Sequence, residues 1–164
     1  MNRRTFLTLG GAAAAALVLS GCGFRLRGTD ALPSLPSLAL EGDDTSELYR
    51  LLRTRLEQRG AEVRSDGEWR VTLGSAERRS RQLGSDGRGS REHELTLAIS
   101  LSVQQRENGA YRLNNETLSV RTRIRVNDDN LLNRDSLFRE AERTLEQRLA
   151  ERIIERLGYL AGQA

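Results

Sequence analysis

Hydrophobic spacing changes several times along this chain, and each change marks an element. Leu38-Ala39-Leu40 reads as a short strand. Leu48, Leu51, Leu52 and Leu56 then recur every three or four residues, which predicts an amphipathic helix from about Ser46 to Arg59, with Gly60 placed to stop it. Asp43, Asp44, Thr45 and Ser46 offer N-caps, and Asp44 with Glu47 has capping-box spacing. After a turn at Ser65-Asp66-Gly67, Trp69, Val71 and Leu73 alternate with Arg70 and Thr72 as a half-buried strand. Leu95, Leu97, Ile99, Leu101 and Val103 give the clearest strand of the chain. Glu107-Asn108-Gly109-Ala110 supplies a hairpin turn. The returning strand begins at Tyr111, breaks at Asn114-Asn115, and continues with Leu118, Val120, Thr122, Ile124 and Val126 on one face. A final helix from near Asp135 to Leu157, stopped by Gly158, carries the stripe Leu137, Phe138, Ala141, Leu145, Leu149, Ile153 and Leu157. Its Arg and acidic residues, such as Glu142, Arg143, Glu146 and Arg148, have the spacing of intrahelical ion pairs.

The element order is β-α-β-β-β-α. Strands with one apolar and one polar face need cover on one side only, and two amphipathic helices provide it. The expected fold is α+β: a two-layer sandwich, with a four-stranded mixed sheet and two helices packed on one face. Residues 74–92 are rich in Gly, Ser and Arg with a single Leu, and read as a long mobile basic loop.

The N-terminus follows a different pattern. Arg3 and Arg4 precede an uncharged run from Leu7 to Leu19, 13 residues long. A bilayer-spanning helix needs roughly 20. A basic start, an apolar run and small residues form the layout of a cleaved export signal. Leu19-Ser20-Gly21-Cys22 resembles the lipobox of bacterial lipoproteins, which makes Cys22 the site of lipid attachment. An ordinary secretory signal with a chance Cys is the alternative. Asn2-Arg3-Arg4-Thr5-Phe6-Leu7 fits a twin-arginine signal or a plain basic start equally well. Residues 22–37 hold both prolines, Pro33 and Pro36, and read as an extended leader from the lipid to the fold.

The 164 residues contain 26 basic residues, all Arg, and 23 acidic ones. Removal of residues 1–21 takes Arg3 and Arg4, so the formal charge falls from +3 to 24 − 23 = +1. That balance, with export, argues against a nucleic-acid partner. No catalytic set is visible. His93 is the single histidine and reads as an ordinary strand-edge residue; no metal-ligand spacing occurs, and GSDGRG at 84–89 lacks the following helix of a phosphate loop. The chain reads as a binding or structural module without a cofactor. Its distinctive feature is Arg121, Arg123 and Arg125, projecting from one strand face about 7 Å apart. Like charges so placed call for acidic neighbours or an anionic ligand, and guanidinium groups suit phosphate and carboxylate. Arg78, Arg79, Arg81, Arg88 and Arg91 of the loop could extend that surface. A solvated, ligand-free face is the plain alternative.

Gly21-Cys22-Gly23-Phe24-Arg25-Leu26-Arg27-Gly28 resembles the start of the LPS-assembly lipoprotein family LptE, and the element order agrees from about residue 22 to 160. The connection at 61–68 is shorter than in longer members, and a polar C-terminal tail is lacking. The resemblance implies a lipid-anchored, non-catalytic protein on the periplasmic face of the outer membrane. It implies a plug that helps the LptD β-barrel assemble and assists lipopolysaccharide delivery to the cell surface. Family members bind lipopolysaccharide through basic residues; by position these correspond to Arg121, with Arg88 or Arg91 from the preceding loop. The implied organisation is a cleaved signal at 1–21, an anchored leader at 22–37 and an LptE-like domain at 38–160. The alternative reading is a periplasm-facing lipoprotein acting as a structural or small-ligand-binding adaptor.

Overall fold

A computed structural model describes residues 34–84, 90–127 and 131–163. In chain order the elements are β1 (Leu38–Glu41), α1 (Glu47–Gln58), β2 (Trp69–Leu73), β3 (Glu77–Leu83), β4 (Ser90–Gln105), β5 (Tyr111–Asn127) and α2 (Leu131–Ala161). They form the expected α+β arrangement, a mixed sheet with two helices on one face, but the sheet has five strands.

The β1-α1-β2 unit is a crossover between parallel strands, with Leu38 opposite Trp69 and Leu40 opposite Val71. Of the four candidate caps, Ser46 is the one used: its side chain accepts from the Tyr49 amide at 3.2 Å. The helix ends where the sequence places its stop. Gly60 has φ +82°, its N–H donates to Glu57 O, and the Ala61 N–H donates to Leu56 O. These two bonds form a Schellman cap, which needs a left-handed residue at this position. Gly67 is required for another reason. A β-carbon there would overlap the Leu38–Ala39 peptide, so β1 and the turn before β2 pack backbone to backbone.

Strand β4 is the spine. Along one edge it pairs antiparallel with β5, from Ser90–Asn127 to Gln104–Tyr111. Its other edge carries two strands in series: β2 opposite residues 101–105 and β3 opposite 92–98. Between them the Gly74 N–H donates to Ser100 O at 2.9 Å, so the ladder continues through the join. The expected loop at 74–92 is therefore corrected: Glu77–Leu83 is a strand, and β4 starts at Ser90. The pairing is a matter of backbone bonds to β4; β3 itself buries little, being exposed almost throughout.

The break at Asn114-Asn115 is a β-bulge. Glu116 faces Leu101 and Leu113 faces Val103, so two asparagines oppose Ser102 alone. Asn115 takes φ +52° and its N–H donates to Ser102 Oγ at 2.9 Å.

Helix α2 is longer than expected, starting at Leu131 and continuing past Gly158 to Ala161. Leu160, only 6% exposed, extends the apolar stripe by another turn, and that burial carries the helix through the glycine. Leu52, Leu56, Leu97, Leu101, Val103, Leu149 and Ile153 are fully buried or nearly so between the helices and the sheet. Each contributes about 1.5–3 kcal/mol relative to an exposed side chain. The expected ion pairs within α2 do not form among the described residues. Instead, Glu151 binds Arg55 of α1 and its C-cap residue Arg59, Glu146 binds Arg78 of β3, and Arg156 binds Glu116 of β5. The charges fasten the helix to its neighbours. No described helix is long and apolar enough to cross a membrane.

Candidate functional site

Alternation along β4 and β5 sends Leu95, Leu97, Ile99 and Leu101 toward the helices and Glu92, Glu94, Thr96 and Ala98 to the opposite, open face. Register then sets the residues of that face in rows: Arg79–Thr96–Arg121, Arg81–Glu94–Arg123, and Leu83–Glu92–Arg125. Arg121, Arg123 and Arg125 thus share one exposed face, as the sequence predicts.

Their electrostatic situations differ. Glu94 lies between two cations, accepting from Arg81 Nη2 at 3.2 Å and Arg123 Nε at 3.4 Å. Its side chain is only 9% exposed, so the arginines compensate a carboxylate that is largely removed from water. Arg123 also reaches Glu92 at 3.9 Å. Among the described residues, the Arg121 and Arg125 side chains have no carboxylate partner. Two cations are therefore left over on either side of a neutralised centre. That arrangement can receive an anion with two charged groups, because guanidinium forks bind phosphate and carboxylate oxygens in pairs.

The remaining predicted cations separate. Arg79 and Arg81 join the open face, and Arg79 pairs with Glu77 at 3.0 Å. Arg78 points the other way and binds Glu146 of α2 at 3.0 Å. Arg91 pairs in register with Val126 and shares the helix-side parity of His93 and Leu95, so it does not extend the Arg121 row. Arg88 and Cys22 lie outside the described residues, as do the signal at 1–21 and the leader up to Pro33. His93 is not at an edge: it sits between Gln82 and Ile124, with its ring edge-to-face with Phe138 at 5.4 Å. Among the described residues no cluster of three His, Cys, Asp or Glu side chains could hold a metal ion.

Sequence reasoning missed two contributors. Arg148 of α2 donates to the backbone oxygen of Arg121 at 3.4 Å, a contact made across 27 residues with no local signal. Beside β5 on the helix side runs a shallow groove of about 690 Å³, lined by Glu116, Leu118 and Val120 of β5 and by α2 residues of both signs, among them Arg148, Glu151 and Arg152. Leu118 and Val120 were legible as apolar strand residues, but nothing in their spacing shows that a groove opens between them and α2.

Comparison with known proteins gives the fold and the family. The chain is similar to a minor lipoprotein from Acinetobacter baumannii (16% identity, TM-score 0.64, covering 76% of this chain and 92% of that one). It is also similar to rare lipoprotein B from Shewanella oneidensis (18% identity, TM-score 0.60, covering 75% and 94%). A third similar structure is lipoprotein B from Nitrosomonas europaea (15% identity, TM-score 0.66, covering 85% and 93%). At these identities the likeness establishes the fold alone. No curated protein matches the chain. The family model for lipopolysaccharide-assembly LptE matches residues 35–157, three quarters of the chain, from just before β1 to the last turns of α2. The chain therefore belongs to the LptE family of non-catalytic lipopolysaccharide-assembly lipoproteins.

Proposed function

We propose that this chain is the outer-membrane lipoprotein that seats in the LptD β-barrel as a plug, helps that barrel assemble, and assists lipopolysaccharide delivery to the cell surface. The family match over residues 35–157 is the observation that carries this reading. In it, residues 1–21 are removed on export, Cys22 carries the lipid, and residues 22–37 lead from the periplasmic face of the outer membrane to the domain. Each buried CH₂ of an acyl chain contributes about 0.8 kcal/mol, so two or three chains on one Cys give effectively permanent attachment.

Within this reading the open sheet face contacts the lipopolysaccharide phosphates. Arg121 and Arg125 lead, because their side chains lack carboxylate partners among the described residues; Arg123 is shared with Glu94. The helix-side parity of Arg91 argues for a lesser part, and Arg88 stays a candidate from sequence alone.

Two measurements test the proposal. The protein extracted from outer membranes is expected to co-purify with a large β-barrel, and recovery as a free monomer overturns the plug. The Arg121→Asp, Arg125→Asp double variant is expected to keep its circular dichroism spectrum while losing lipopolysaccharide binding. Unchanged binding removes this face from the lipopolysaccharide contact and leaves the barrel assignment intact.

A further inference from the structure

We propose that the outer edge of β5 is a strand-addition site for an extended partner segment that carries carboxylates and apolar side chains at alternate positions. The direction of the β5 backbone can be worked out from two bonds. The Gly74 N–H donates to Ser100 O, so Ser100 turns its backbone groups toward the β2–β3 side of β4. Its partner across the ladder is Thr117, and the Ser100–Thr117 pair is therefore one of the non-hydrogen-bonded pairs of the antiparallel ladder. Thr117 consequently directs its N–H and C=O away from β4, and by alternation so do Ser119, Arg121, Arg123 and Arg125. The Arg148 contact agrees independently, since it reaches Arg121 O from outside the sheet at 3.4 Å, and an added strand would displace it.

These outward backbone groups belong to the residues whose side chains project on the open face. An added strand would hydrogen-bond to that row and set its own alternate side chains beside Arg121, Arg123 and Arg125, where carboxylates are favoured and cations repelled. Its intervening side chains would point to the helix side. There the groove beside β5 offers about 690 Å³, lined by Leu118 and Val120 and by charged α2 residues of both signs such as Arg148, Glu151, Arg152 and Glu155, so small apolar side chains fit against the two strand residues. A row of arginines on one face and the small Leu118–Val120 surface on the other thus specify an amphipathic segment.

Other edges of the sheet suit this less. At β1 the four-residue strand already meets Val63 through Leu38. The β3 edge has charges of both signs, Glu77, Arg79 and Arg81. From Ser119 to Arg125, β5 has no proline and no bulge, two of the devices that block edge pairing, and its arginines, a third, exclude cationic segments while admitting acidic ones. A second copy of the chain is disfavoured because β5 against β5 opposes arginine to arginine. The leader at 22–33 is also a poor fit, with Arg25 and Arg27 against a single acid, Asp30.

The test uses the full chain in detergent with two synthetic peptides, one alternating glutamate with valine and one alternating lysine with valine. The glutamate peptide is expected to slow hydrogen exchange at the Ser119, Arg121, Arg123 and Arg125 amides about tenfold, with no slowing by the lysine peptide. Methylation of the peptide's facing amide nitrogens is expected to abolish the protection. The Arg121→Glu, Arg125→Glu variant should weaken binding of the glutamate peptide by about tenfold or more, as reversal of two cross-strand charge pairs implies. An anion seated on guanidinium groups alone leaves those amides exchanging. Binding without amide protection, or binding insensitive to amide methylation, therefore overturns strand addition. So does amide protection that grows with protein concentration in the absence of peptide, which would identify a second copy as the occupant.

Discussion

Arg156 holds Glu116 in a two-pronged grip, Nε to Oε1 at 3.0 Å and Nη2 to Oε2 at 2.7 Å, tying the C-terminal part of α2 to β5 just past the asparagine bulge. Both side chains are about two-thirds buried, so the pair is less screened than a surface ion pair. A double-mutant cycle with Arg156→Met and Glu116→Gln is expected to give a coupling of about 1 kcal/mol in urea unfolding. A coupling near zero would mean that the apolar stripe alone docks this part of the helix.

Two glycines should respond differently to alanine. Gly60→Ala meets no neighbouring atom but must hold a left-handed backbone, at a cost of about 1–2 kcal/mol. Gly67→Ala drives a methyl into the Leu38–Ala39 peptide and separates β1 from the turn before β2, at a cost of about 3 kcal/mol or more. Denaturant midpoints of the two variants check the order; equal costs would contradict the backbone contact at Gly67.

Glu94→Gln probes the charge balance of the open face. Loss of the carboxylate frees Arg81 and leaves Arg123 to Glu92; these arginine side chains are 73% and 61% exposed, so the stability cost is limited to about 1 kcal/mol. The face gains one net positive charge. At about 7 Å through solvent this is worth about 0.6 kcal/mol to a bound monoanion, or roughly a threefold gain in affinity. Phosphate binding followed by calorimetry at low salt should show that gain and lose it at high salt; weaker binding would mean that Glu94 positions the arginines.

Asp43 gives a pH dependence of known sign. The Thr45 hydroxyl and then the Thr45 amide donate to its carboxylate and hold the pKa below the ordinary aspartate value. A lowered folded-state pKa contributes stability that is present above the unfolded pKa and lost as pH falls through the folded one. The carboxylate is fully exposed, so the contribution is small. The Asp43 carboxyl carbon should titrate below the ordinary aspartate range by NMR. Thr45→Ala should move the midpoint up; an unmoved midpoint would remove the hydroxyl as the cause.

Where burial alternates, the sequence is readable. The leucines of β4 and the leucine face of α1 announce their elements because each buries one side against the other layer. The β3 segment does not. Its helix-side positions are Arg78, Ser80 and Gln82, at a margin where little apolar cover exists, so a paired strand has the composition of a loop. Gly158 misleads in the opposite sense, because the burial of Leu160 overrides a local helix stop. The arginine row of β5 is legible from alternation alone. The partition of the other arginines between faces depends on which residues of β3 and β4 come opposite each other, and a segment read as a loop has no such register.

The asparagine bulge has a consequence for chain length. Leu113 and Leu118 are five residues apart, an odd interval that in an unbroken strand would send them to opposite faces, yet both are buried on the helix side. The extra residue at Asn114-Asn115 resets the phase of β5, so the half near the hairpin and the half bearing the arginines obey one pattern. Removal of a single asparagine would leave the charge and every apolar residue unchanged, but would turn one half over. Leucines would face water, or Arg121, Arg123 and Arg125 would face the core.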